Sequence, residues 1–334
     1  MRIEQPDPAD EKTARACYEV MVAAHEADEP VEPPRSYGIF SRYLREGWEK
    51  TPGESWVAVD DGGAVIGFYR MALPDMENLD RASGGPIVHP AVRRRGIGRV
   101  LLRHEGERAA ANGRSVFSAG TATGTAGDAF AQAMGARLDL EEVRRIQYLR
   151  EIPPGTIAAL RVSAERAAAG YSLVSWTGVV PDEYRGPIAE VFNAFADAPH
   201  GENEEPEIWD ADRVRERLGI LVRAGLRRAY SIAAVSDSTG QMAGFTEVNV
   251  EPESPRWGFQ QLTAVLRSHR GHRLGLLVKT AMLGWLAAAE PQLDWIATGN
   301  AAINKHMISV NEQLGYRVIE PGWRTYEMPV ADMR

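Results

Sequence analysis

Two spacings of apolar residues take turns along the chain. In "ADEKTARACYEVMVAAHEAD" (9–28) and "RSYGIFSRYLREGWEK" (35–50) apolar residues recur every three or four positions, which predicts helices. "MRIEQP", "SWVAVDD" and "AVIGFYRMAL" are short and alternating or apolar, which predicts strands; the last two flank Asp61-Gly62-Gly63, a hairpin signal. "ASGGPIVHP" (82–90) reads as a further strand, followed by a basic turn and a helix to about Ala111. The strand "SVFSAG", the helix "GDAFAQAMG" and the closing strand "VRRIQYLR" complete this half.

The second half has the same order. "YSLVSWTG" reads as a strand, "DEYRGPIAEVFNAFAD" and "DADRVRERLGILVRAG" as helices, the latter with aspartates suited to its N-terminal dipole. "AYSIAAVSD", "MAGFTEVNV" and "WGFQQLTAVL" are strands, then come a second basic turn and a helix to about Ala289. "LDWIATGN", "AAINKHMISVNEQLG" and "RTYEMPV" read as strand, helix and last strand.

Arg93 and Arg270, each opening a basic turn, stand 177 residues apart; Gly135 and Gly315, each ending a predicted helix before a strand, stand 180 apart. A nearly constant offset of half the chain marks a duplicated unit. The halves meet at "REIPPGT", where Pro153-Pro154-Gly155 can continue neither a ladder nor a helix. These signals predict a first domain over 1–150, a linker with its own helix over 151–170, and a second domain over 171–334.

A length of 334 residues leaves room for two cores, and 44% hydrophobic with 25% charged residues is a globular composition. The net charge of -8 argues against a nucleic-acid partner. Cys17 is the single cysteine, which leaves no intramolecular disulfide and no thiolate zinc site, and fits a reducing cytoplasm. "HRGH" (269–272) lacks nearby carboxylate or thiol partners, so no metal is expected. The N-terminus "MRIEQPDPADEK" is unlike a signal peptide, and no run approaches the length of a membrane span, so a membrane is not expected as a partner.

The basic turns carry the chemistry. A helix N-terminus offers free N–H groups and a positive dipole end, glycines let an oxyanion approach closely, and arginines add charge. "VRRRGIGR" and "SHRGHRLG" therefore read as phosphate or pyrophosphate cradles. Other phosphate loops fit worse: Lys279 lies four residues after Gly275, too far for a Walker lysine, and Leu101 stands where a dinucleotide fingerprint needs its third glycine.

"RRRGIG", Arg93 to Gly98, carries a Gln/Arg-x-x-Gly-x-Gly/Ala signature and resembles the GNAT superfamily of acyl-CoA-dependent N-acyltransferases. "RGHRLG", Arg270 to Gly275, keeps the outer arginine and glycine and has Arg273 at the inner glycine. The element order fits in both halves, so nearly the whole chain resembles a tandem GNAT protein. The resemblance implies an α/β (α+β) fold: two domains, each a mixed, mostly antiparallel sheet flanked by helices, with a V-shaped splay between its fourth and fifth strands. It implies acetyl-CoA as cofactor, its pyrophosphate on the turn amides. That makes Arg93, Arg94, Arg95, Gly96, Ile97, Gly98 and Arg99 in the first half candidate cofactor residues, and Arg270, Gly271, His272, Arg273, Leu274 and Gly275 in the second. The pantetheine arm would pass Val265, Leu266 and Arg267, or Val88 in the first half, with Asn300 and Asn304 as amide partners on the far wall. Asn311 occupies the place where the family usually has a tyrosine acid.

Acyl transfer needs a base for the amine, a donor for the thioester oxygen and a stabilised thiolate. The first half offers no carboxylate on its central strands and only His89 near the implied thioester, so it reads as a degenerate or non-catalytic copy. In the second half Glu247, in "GFTEVNVEP", is the candidate base, and Tyr326 on the last strand a weaker substitute for the acid. The acidic segment around His200, Glu202, Glu204 and Glu205 is where the family places substrate contacts. The leading reading is an N-acetyltransferase moving an acyl group from CoA to the primary amine of a small molecule or peptide, as a monomer or homodimer. A non-catalytic acyl-CoA sensor and an aminoacyl transferase using charged RNA remain open.

Overall fold

The computed structural model describes residues 1–7, 9–194, 204–301 and 305–333. The chain divides into two compact units: one of Met1–Glu142, Glu320–Arg334 and, between them in sequence, Glu204 and Glu205; the other of Val143–His200 and Pro206–Ile319.

The first unit runs β1 (Arg2–Glu4), α1 (Glu11–Asp28), α2 (Tyr37–Glu46), β2 (Gly53–Val59), β3 (Val65–Ala72), β4 (Arg81–Gly84), β5 (Ile87–Val88), α3 (Ile97–Ala111), β6 (Val116–Ala122), α4 (Ala126–Ala133) and the start of β7 (Arg137–Tyr148). The Asp10 carboxylate caps α1, accepting from the Lys12 N–H at 3.0 Å. Asp60 Oδ1 accepts from the Gly62 and Ala64 N–H groups and closes the β2–β3 hairpin. Alternation along β2 sends Val57 and Val59 to the α1–α2 face with Cys17, Phe40 and Phe68, and Ala58 to the opposite face with Leu101, Tyr69 and Met71. Each such aliphatic or aromatic side chain, fully buried, contributes about 1.5–3 kcal/mol.

The second unit runs from the end of β7 through α5 (Thr156–Ala167), β8 (Tyr171–Thr177), α6 (Arg185–Ala194), α7 (Ala211–Arg217), α8 (Ile220–Arg223), β9 (Arg228–Ser236), β10 (Met242–Val250), β11 (Trp257–Val265), α9 (Leu274–Ala289), β12 (Trp295–Ala301), α10 (Lys305–Gln313) and β13 (Tyr316–Val318). β10 again splits two cores. Val248 and Val250 pack with Leu277 and Met282 of α9 and Ala164 of α5, while Phe245 packs with Ile188 of α6 and Val214 of α7. The predicted helix over 210–225 is broken at Gly219, whose φ of 73° separates α7 from α8.

β14 (Trp323–Pro329), the last strand of the chain, belongs to the first unit, where it pairs antiparallel with both β6 and β7. The first sheet is ordered β1-β2-β3-β4-β6-β14-β7, and the second β8-β9-β10-β11-β12-β7 with β13 against β7. β7 serves both, pairing β14 through Arg137–Glu142 and β13 through Arg145–Gln147. The boundary therefore lies at Glu142–Val143 and not at 150, and residues 320–334 leave the second domain. Nor is 151–170 a free linker: Ala164 and Ala168 are fully enclosed in the core under α9. β7 ends at Tyr148, a 3-10 turn over Leu149–Glu151 follows, and Pro153-Pro154-Gly155 stands between that turn and α5.

The V-shaped splay forms in both units. β4 pairs parallel with β6 as far as Gly84 and Ala119; past Gly85, at φ 126°, β5 continues along β3 in the same antiparallel register as β4 while the pairing with β6 ends. The single strand predicted over 82–90 is thus two, because Gly85 leaves the extended region and Pro86 has no N–H for the ladder. β11 pairs parallel with β12 only over Trp257–Phe259 and Trp295–Ala297.

Candidate active site

Each basic turn follows its splayed strand and opens a helix. Arg94 and Gly96 have φ of 67° and 82° in the first, Gly271 and Arg273 φ of 91° and 53° in the second. The second and fourth residues of both turns are left-handed, with glycine and arginine exchanged between them. The second cradle therefore forms without the inner glycine, at a cost of about 1–2 kcal/mol for a side chain in that region. Arg273 Nη1 donates to Ser163 Oγ at 2.7 Å. A Cβ at Gly96 or Gly271 would meet nothing within 4 Å, so the mouth of each turn is open.

The turns are anchored from within. Ile97 and Leu274 are buried, as is Leu266 at the end of the second splayed strand. Arg93 Nε donates to the Val88 carbonyl and Arg270 Nε to the Val265 carbonyl, at 3.1 and 3.4 Å, so the signature arginine ties the turn to the strand before it. The two terminal nitrogens of Arg93 also grip Asp28 at 2.8 and 2.7 Å. Arg93 thus clamps the turn to both β5 and α1. Arg94, Arg95, Arg99, Arg267, Arg270, His272 and Arg273 are exposed, and Gly98 and Gly275 lie in the first turns of their helices. His269 is held between the Tyr171 hydroxyl and Gln241, and His272 stands against the Tyr171 ring at 5.3 Å.

Glu247 lies on the same face of β10 as Phe245, beneath α6 and α7. Between the pairs Thr246–Thr263 and Val248–Gln260, β11 holds one residue more than β10, a bulge directly opposite Glu247 and just past the end of β11–β12 pairing. Ser231 Oγ donates to Glu247 Oε2 at 3.1 Å, and Gln260 Nε2 donates to the Glu247 carbonyl at 2.7 Å. Burial pushes the Glu247 carboxyl above its ordinary pKa; hydrogen bonds from Ser231 and Asn249 and the charge of Arg227 oppose the shift without cancelling it. A carboxyl held closer to neutrality is a stronger base than a solvated one.

On the opposite side of this sheet, Asn311 of α10 is wholly buried between two partners: Lys279 Nζ donates to its Oδ1 at 2.7 Å, and its Nδ2 donates to Asn300 Oδ1 at 2.8 Å. Sequence spacing alone excludes Lys279 as a Walker lysine and does not reveal this contact. The available signal was its isolation, since it is the one charged residue in "LGLLVKTAMLGWLAAA".

Other expected residues fall elsewhere. Tyr326 lies on β14, within the first unit, where its hydroxyl donates to Asp128 at 2.6 Å and accepts from Gln132. Glu205 is fixed to Asn78 by three hydrogen bonds of 2.8–2.9 Å, and both it and Glu204 group with the first unit. His200, Glu202 and Asn304 lie outside the described residues. His89 Nδ1 accepts from the Ala91 N–H and caps a helical turn. The first unit does hold a carboxyl at its splay, from a helix and not a strand: Glu105 of α3, fully buried, accepts from the Gly85 N–H at 3.1 Å, and burial pushes its pKa up to about 8.

A splayed sheet, an amide cradle at the following helix and antiparallel flanking strands, present twice, define an acyl-CoA-type acetyltransferase architecture. The Acetyltransferase (GNAT) domain family matches residues 51–135, within the first unit. The chain is 31% identical over 302 residues to a mycothiol acetyltransferase of Mycobacteroides abscessus, covering 86% of this chain and 90% of that one. Among solved structures it is similar to a tandem GNAT protein from the clavulanic acid biosynthesis pathway, at 32% identity, 98% coverage of both chains and a TM-score of 0.81. A GCN5-related N-acetyltransferase from Sphaerobacter thermophilus shares the fold at 17% identity and a TM-score of 0.68, covering 98% of this chain and 95% of that one. The chain belongs to the GNAT acetyltransferase family and is a tandem, two-domain member of it.

Proposed function

We propose that the second unit transfers an acetyl group from acetyl-CoA to the primary amine of a small molecule or peptide, in the cytoplasm, and that the first unit is a non-catalytic, cofactor-retaining copy. The observation that carries this reading is the placement of Glu247, a carboxyl with raised pKa beside the bulge of the splayed strand. The cradle residues 270–275 would hold the pyrophosphate through turn amides and the positive end of α9. The acetyl thioester supplies the electrophile. Glu247 takes the amine proton directly or through one water, the N–C bond forms, the C–S bond breaks, and its electron pair leaves on sulfur. The likeness to a mycothiol acetyltransferase supports a small-molecule acceptor.

An acyl-CoA sensor is the second reading, favoured by Asn311 standing where the family carries a phenol. The test is release of free thiol when the protein is incubated with acetyl-CoA and aminoglycosides, polyamines, amino acids or peptide N-termini. Amine-dependent release with a stoichiometric acetylated product supports the enzyme. Acetyl-CoA binding without release for any acceptor class supports the sensor.

A further inference from the structure

Lys279 is a buried amine that donates to Asn311 and lies over the face of the Tyr316 ring, Nζ standing 4.8 Å from its centroid. Among the described residues no carboxylate pairs with it. A lysine left 2% exposed without an anion is costly, and in such a place it is either neutral or awaits a negative charge. The chain that starts at Lys279 has a direction. An ammonium has donors only, so Asn311 must turn its Oδ1 toward Lys279. Asn311 Nδ2 then faces Asn300 Oδ1. Asn300 in turn is left with its Nδ2 donors. Asn300 is three residues past Ala297, the last β12 residue paired with β11, so the chain ends in the splay, and Asn300 keeps partial exposure there.

We propose that Lys279 is a positioning residue: the cationic end of a Lys279–Asn311–Asn300 chain that aims an amide N–H into the splay, where it stabilises the departing CoA thiolate. This rests on the reading of the second unit as an acyl-CoA site. The sulfur keeps the electron pair of the broken C–S bond as a thiolate, and takes a proton from solvent after leaving; no proton passes through the asparagines. The chain thereby does by hydrogen bonding what a phenol would do by protonation. Burial brings the Lys279 pKa down to about 7, so the ammonium is easily lost in the empty site and is regained when an anion arrives. The phenol of Tyr316, whose ring faces it, is pushed upward by burial and stays neutral.

The experiment follows the ultraviolet absorbance of the thiolate of bound CoA against pH, in the wild-type full chain and in Lys279→Met. Binding to each protein is measured by calorimetry, and Arg270→Glu identifies the second-unit signal. The wild type is expected to hold the bound thiol below the pKa of free CoA, and Lys279→Met to raise it by about one pH unit. Acetyl-CoA affinity is expected to change less than threefold, with a larger fall in turnover than in KM. Lys279→Gln, which keeps a donor but no charge, is measured in the same way and serves where Met unfolds the protein. The same thiol titration in wild type and a folded variant, with CoA bound in both, overturns the proposal and leaves the acyl-CoA reading intact. Failure of CoA to bind the second unit at all overturns both.

Discussion

Glu247 and Ser231 are direct cross-strand partners in the β9–β10 ladder, and the Ser231 hydroxyl donates to Glu247 Oε2 at 3.1 Å. The serine favours the charged carboxylate, while burial disfavours it by more, and the balance lifts the pKa. The carboxylate is the active form of a base, so the rate should rise as pH passes upward through the Glu247 pKa. Ser231→Ala removes the charge-favouring bond, and should move this limb of the kcat/KM profile to higher pH; an unmoved limb would assign it to another group.

The second cradle should be the working one. Arg270→Glu removes the tie to the Val265 carbonyl and sets a carboxylate at the open turn. Charge-assisted contacts contribute about 1.5–3 kcal/mol, so acetyl-CoA affinity at this site should fall more than tenfold. Calorimetry showing unchanged affinity would remove the turn from the site.

The first unit should hold CoA without turning it over. Native mass spectrometry after mild desalting should show one or two CoA masses, and Gly96→Asp should remove one of them while turnover persists. Loss of all turnover, with the fold intact and the second site occupied, would mean the first unit takes part in the chemistry.

The two left-handed positions of the second turn make different predictions. Gly271→Ala puts a Cβ at φ 91° and should cost about 1–2 kcal/mol. Arg273→Gly relieves the same strain, and loses an exposed bond to Ser163 whose net contribution is small, so stability should change by less than about 1 kcal/mol. Urea unfolding of both variants checks the pair; equal losses would show that the turn does not depend on its left-handed backbone.

The elements were legible because their apolar spacing was strong: α1, α3, α9 and the hairpin strands fall where the periodicity placed them. The duplication was legible from two landmarks, and the turns from their basic, glycine-bearing helix starts. Strand exchange was not, since "RTYEMPV" has the alternation of a strand in either unit and nothing local states its partner. For that reason Tyr326 was read with the second half, whereas its strand groups with the first unit. The Arg93–Asp28 pair was not legible because the two are 65 residues apart in sequence, and only the fold joins them. Lys279 and Glu105 were readable as lone charges in otherwise packed helical faces, but a pattern of apolar positions gives no account of what a buried charge is for.

The central claim is that acyl transfer takes place in the second unit with Glu247 as base. Glu247→Gln keeps the shape of the side chain and a partner for Ser231, but cannot accept a proton. On the accepted amine, turnover of this variant at pH 7 is the direct measurement. It should fall by on the order of 10²–10⁴, and by less at pH 9 where more of the amine is already neutral, with acetyl-CoA binding unchanged. Wild-type turnover at pH 7 would contradict the account and leave Glu247 as a strand residue paired to a serine.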